Sequence, residues 1–76
     1  MNMLTSDLTP DVWMRYLFSS KPALEGGVVR PKVADVTRIV GCARFEAEVR
    51  RRGFSMVRNG RYYAVFCNRE GITLIE

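Results

Sequence analysis

The sequence predicts an α+β domain in winged-helix-like order, with two to three N-terminal helices packed on a C-terminal three-stranded antiparallel sheet. Three observations predict it. Thr9-Pro10-Asp11 is a helix start. Two apolar stripes at helical spacing follow, divided by Gly41. Asn59-Gly60 then sits between two runs in which apolar and polar residues alternate. The chain has 76 residues, room for one domain with one core. The expected layout is a flexible tail over 1–8, a helical part over 9–53 and the sheet over 54–76.

The first helix is read from its entry. Thr9 caps free amides, Pro10 suits the first helical position, and Asp11 favours the positive end of the dipole. Leu8 and Trp13 stand at the spacing of a hydrophobic staple. Val12, Trp13, Tyr16 and Leu17 give the expected apolar face. The helix ends near Ser19, because Pro22 disfavours helical backbone at Lys21. Residues 20–30 read as a connector, with Gly26-Gly27 as its flexible point. Pro31 opens a second helix on which Val33, Val36, Thr37 and Val40 form the buried stripe, and Gly41 stops it. A third helix covers about residues 43–52. Phe45 and Val49 face its core side, while Glu46 with Arg50 and Glu48 with Arg52 stand at favourable i,i+4 spacing. Gly53 takes the left-handed cap and Phe54 folds back on Val49.

The Asn-Gly pair predicts a two-residue hairpin turn with both turn residues at positive φ. That loop length pairs Arg58 with Arg61, Val57 with Tyr62, Met56 with Tyr63, Ser55 with Ala64 and Phe54 with Val65. Phe54, Met56, Tyr63, Val65 and Cys67 share one face, and Val57, Tyr62, Ala64 and Phe66 share the other. Asn68–Gly71 forms the next turn. Ile72–Ile75 is the expected third strand, antiparallel to the second. Helices cover one face only, so Val57, Tyr62 and Phe66 are left as an apolar patch and a candidate homodimer face.

Composition narrows the function classes. Twelve Lys and Arg against eight Asp and Glu give a net charge of +4. Such a balance favours nucleic acid or an acidic protein surface as partner. There is no histidine, so the commonest general base is missing and a cysteine–histidine zinc site lacks ligands. The serines stand in no nucleophile motif, and no cofactor motif is present. The sequence therefore predicts a protein that is not an enzyme. Cys42 and Cys67 read as reduced, partly buried thiols rather than as a single bridge, which suits a cytoplasmic setting. No apolar run approaches the roughly 20 residues of a membrane span. Met1 to Asp7 also lacks the order of a signal peptide.

The candidate partner-binding residues are Arg50, Arg51, Arg52, Arg58, Arg61 and Tyr62. From Arg50 to Arg61 there are five arginines and no acid. Arginine suits bidentate contact with phosphate or carboxylate. Arg50–Arg52 already have a local role at a helix C-terminus. Arg58 and Arg61, expected to face each other across the hairpin at an energetic cost, mark the sharper contact site. The element order also fits a DNA-binding regulator, with Arg44 and Arg50 on the reading helix and Arg58 and Arg61 on the wing. Against that stand Glu46 and Glu48 and the shortage of Ser, Thr, Asn or Gln on the helix. Tyr62, Tyr63 and Phe66 beside arginines offer a third use, stacking single-stranded bases.

Residues 26–68, from Gly-Gly-Val-Val-Arg through Arg-Arg-Arg-Gly-Phe to Phe-Cys-Asn, resemble a family of short bacterial and prophage proteins. The stretch covers over half the chain. Size, charge and single-domain layout are also similar to those of small phage-encoded inhibitors of host defence, in particular anti-CRISPR proteins against type I (I-C-like) surveillance complexes. The resemblance implies a non-enzymatic inhibitor in the host cytoplasm. It would bind a protein component of a host complex that handles nucleic acid and block its engagement of DNA.

Overall fold

The computed structural model describes residues 9–76. The expected tail over 1–8 and the staple from Leu8 lie outside the described residues. Helix α1 is Pro10–Phe18, and the Thr9 Oγ1 accepts from the Val12 amide at 3.2 Å. A short helix α2 (Lys21–Leu24) and a strand β1 (Val28–Val29) follow. Next come α3 (Val33–Ile39), α4 (Cys42–Arg51), β2 (Ser55–Asn59) and β3 (Tyr62–Phe66). The sheet is antiparallel in the order β1-β3-β2. Helices followed by an antiparallel hairpin give the α+β order expected, while the strand β1 between the helices lies outside that expectation.

The connector holds more structure than its composition suggests. Gly27, Pro31 and Val33 bond Cys67, Tyr63 and Arg61 in turn, at 2.8–2.9 Å, so residues 27–33 run along one edge of β3. This corrects the expected third strand. A central strand has two edges, and β2 holds the other one. Residues 72–76 therefore have no edge of β3 to join; they form no strand, and Leu74 and Ile75 stand 86% and 89% exposed.

The hairpin register also differs from expectation. Asn59 pairs with Tyr62, Arg58 with Tyr63, Val57 with Ala64, Met56 with Val65 and Ser55 with Phe66. The loop is Gly60-Arg61. Only Gly60 has a positive φ, at 63°, because no residue other than glycine adopts one among those described. Glycine leading a two-residue loop is the alternative hairpin solution to Asn-Gly. It is held here because the Val33 amide bonds the Arg61 carbonyl and Lys32 bridges to Tyr62, which places Arg61 in the loop and Tyr62 in the ladder. The shift is two residues, so each side chain keeps its predicted face. Arg58 and Arg61, however, do not face each other across the ladder, and the repulsion expected between them there does not arise.

One face of the sheet carries the core. Phe45, Val36 and Val65 are fully buried. Phe45 stacks on Phe18 at 6.0 Å and on Tyr63 at 5.9 Å, with Trp13 edge-on at 6.1 Å. Such geometry adds to simple burial. The α1 face is rotated from the expected one. Met14 and Phe18 are buried with Trp13 and Leu17 beside them, whereas Tyr16 is 56% exposed. At the end of α4, Gly53 (φ 77°) donates to the Arg50 carbonyl and Phe54 to the Val49 carbonyl, the paired bonds of a glycine-terminated helix.

A candidate anion-binding surface at the hairpin tip

The arginines of the basic strip fall into two groups. In the first, Glu48 sits between Arg51 and Arg52, 2.7 Å from each, with its side chain only 18% exposed. The bonds from Arg51, followed by those from Arg52, hold its carboxyl down to about 2. Arg52 also lies over the Phe18 ring, 4.4 Å from the centroid. Arg52 is thus engaged within the domain, through its Nε on Glu48 and its guanidinium over Phe18. The expected Glu48–Arg52 pair is present, and the i,i+3 pair with Arg51 adds to it. Arg50 reaches Glu46 only at 3.9 Å and is 77% exposed. Arg44 pairs with Asp11 and ties α4 to α1.

The second group has no such partners. Among the described residues, Arg58 and Arg61 make no ion pair, and neither do Arg30 or Lys32. Arg58 Nε donates to the Gly60 carbonyl at 3.0 Å, which leaves its terminal nitrogens free. The bonds along residues 27–33 bring Lys32 beside Tyr62. Lys32, Arg58, Arg61 and the Tyr62 ring then enclose a hollow of about 460 Å³ whose floor is Val33 and Ala34. On the other side of Arg58 a larger trough, about 780 Å³, runs between α4 and β2. Glu46 and Arg50 form one wall, and Val57 and Arg58 the other.

Sequence reasoning missed Arg30 and Lys32. The signal was a pair of cations flanking Pro31, within a segment read as connector or helix start. Of the expected residues, Arg58, Arg61 and Tyr62 come together. Arg51 and Arg52 do not join them, and Arg50 shares only the larger trough. The outer face expected for a dimer is present: Val57 and Tyr62 are 41% and 44% exposed and Phe66 is half-buried.

Helix α4 presents Ala43 and Ala47 to solvent, with Arg44, Arg50 and Arg51 around them. Glu48 is drawn aside by its two arginines. Cys42 Sγ lies 3.3 Å from both Thr37 Oγ1 and the Tyr63 hydroxyl. The Thr37 contact, then that of Tyr63, lowers its pKa, while the bond to Cys42 raises that of Tyr63. Cys67 is buried, and burial raises its pKa. The two cysteines are unpaired. No cluster of metal-ligating side chains occurs among the described residues, and no helix is long and apolar enough to cross a membrane.

No protein-family model, no curated protein and no solved structure matches the chain.

Proposed function

We propose that the protein is a non-enzymatic module that binds duplex DNA, with the α3–α4 pair and the β2–β3 hairpin as its contact surface. The observation that carries this reading is the trough between α4 and β2, in which Arg50 and Arg58 stand on opposite walls beside the unpaired Lys32 and Arg61. In a helix pair followed by a hairpin, the second helix enters a groove and the flanking residues hold phosphates. Ala43 and Ala47 leave the α4 backbone free to approach closely. Phosphates are ligands that arginines with free terminal nitrogens fit well.

Salt titration with random duplex tests it. Each phosphate contact adds about −0.9 to the log–log slope, so engagement of Arg50, Arg58, Arg61 and Lys32 gives a slope on the order of −3 to −4. No duplex binding at low salt contradicts the reading.

One observation favours a second reading. Glu46 is 55% exposed on the wall opposite Arg58, and the outward side of α4 carries no Ser, Thr, Asn or Gln to read base edges. The same cations would then meet an acidic protein surface in a nucleic-acid-handling host complex, such as a type I CRISPR surveillance complex, in the manner the resemblance implies. Affinity capture from host lysate that recovers such a complex, with no duplex binding, supports this second reading over the first.

A further inference from the structure

We infer that the outer face of the sheet is a second nucleic-acid site, one that takes single-stranded rather than duplex nucleic acid. The inference does not depend on the duplex reading, because Arg30, Tyr62 and Phe66 lie outside the α4 trough. It begins from the register. Tyr62, Ala64 and Phe66 alternate along the central strand and point away from the core. The small Ala64 between two aromatic rings leaves a trough of about 340 Å³, walled by Tyr62 and Phe66 and closed on one side by Val57 and on the other by Arg30. Two rings four residues apart on a strand stand roughly 13 Å from each other.

The charges beside the trough select the ligand. The continuous register of residues 27–33 along β3 places Arg30 opposite Ala64 and Lys32 opposite Tyr62. Arg61, next to Tyr62 in the hairpin loop, borders the adjoining hollow with Lys32. Among the described residues none of the three has an acidic partner. The residues sharing this face on the three strands include no Asp or Glu. A half-exposed ring can stack on the π-face of a planar partner, and the cations beside it attract an anion. A base joined to its phosphate supplies both. Duplex DNA keeps its base faces stacked inside the helix, so it fits the cations but leaves the rings unused. An apolar second copy would fit the rings but bury Arg30 and Lys32 against their own duplicates, an unfavourable like-charge arrangement.

The test uses the full chain and labelled single-stranded oligothymidylate of about a dozen nucleotides, followed by fluorescence anisotropy at low salt. The unmodified protein is expected to bind. Tyr62→Phe retains affinity, whereas Tyr62→Ala weakens it on the order of 10-fold, the loss of one base–aromatic stack. Arg30→Glu lies outside the α4 trough; it weakens the single strand and leaves duplex affinity within about 2-fold, which separates failure of this site from failure of the duplex reading. Thermal unfolding checks that each variant is folded; Arg30→Glu carries the test if Tyr62→Ala is not. The inference is overturned if oligothymidylate does not bind, or if Arg30→Glu binds it as the unmodified protein does. Sedimentation that shows a dimer disrupted by Tyr62→Ala likewise overturns it, since a second copy then occupies the face.

Discussion

Arg51 and Arg52, at the end of α4, and Arg58 and Arg61, at the hairpin tip, are a few residues apart and chemically identical, yet the fold uses them in opposite ways. The helix-end pair closes on a half-buried carboxylate and an aromatic ring of the same domain. The hairpin pair joins Arg30 and Lys32 around Tyr62 with no carboxylate among the described residues to neutralise them. A run of arginines in a sequence is therefore not a binding site in itself. What matters is where the counter-charge lies, and for Arg51 and Arg52 it lies three and four residues back along the same helix.

The comparison breaks first under charge reversal. Converting Lys32, Arg58 and Arg61 to Glu is expected to lower duplex affinity by at least about 100-fold, since each lost charge-assisted contact is worth roughly 1.5–3 kcal/mol. Circular dichroism should show the fold unchanged. Next in size is Glu48→Ala. It strips Arg51 and Arg52 of their partner, and calorimetry should report a loss on the order of 1–2 kcal/mol once solvent screening is allowed for, which for a domain of this size lowers Tm by about 5–15 °C. Duplex affinity below that temperature should hardly move.

Acid gives a third, related effect. The Glu48 carboxyl falls from an ordinary 4.5 to about 2 in the folded chain. A depressed carboxyl contributes its stability above the unfolded value. That contribution is complete above pH 4.5 and is lost as pH falls toward 2. Denaturant unfolding between those limits should show the loss, and Glu48→Gln should flatten it. The smallest effect belongs to Arg50, whose pair with Glu46 is long and exposed. Arg50→Ala should leave stability within about 0.5 kcal/mol and reduce the salt slope of duplex binding by about one.

Much of this fold is legible in the sequence because its signals are local. The Thr9 cap, the Gly41 stop, the Gly53 terminus and the two faces of the hairpin each follow from residues within a few positions of one another. The misses share another cause. Val28-Val29 is too short for any periodicity to mark, and only its long-range bonds to β3 make it a strand. Once it is in place, Ile72–Ile75 is excluded from that edge despite its apolar composition. The same bonds fix Gly60-Arg61 as the loop, which the Asn-Gly pair alone does not predict. The site is divided likewise. Arg58, Arg61 and Tyr62 stand close in sequence, whereas Arg30 and Lys32 reach them only through pairing of segments about 30 residues apart.

The division of labour between the two pairs of arginines is tested most directly by one crossed measurement. Duplex affinity and Tm are measured for two double variants, Arg58→Ala with Arg61→Ala and Arg51→Ala with Arg52→Ala. The account predicts that the hairpin variant loses affinity at unchanged Tm, while the helix-end variant loses Tm at nearly unchanged affinity. A hairpin variant that binds duplex as well as the unmodified protein, or a helix-end variant that fails to bind while fully folded, would contradict it.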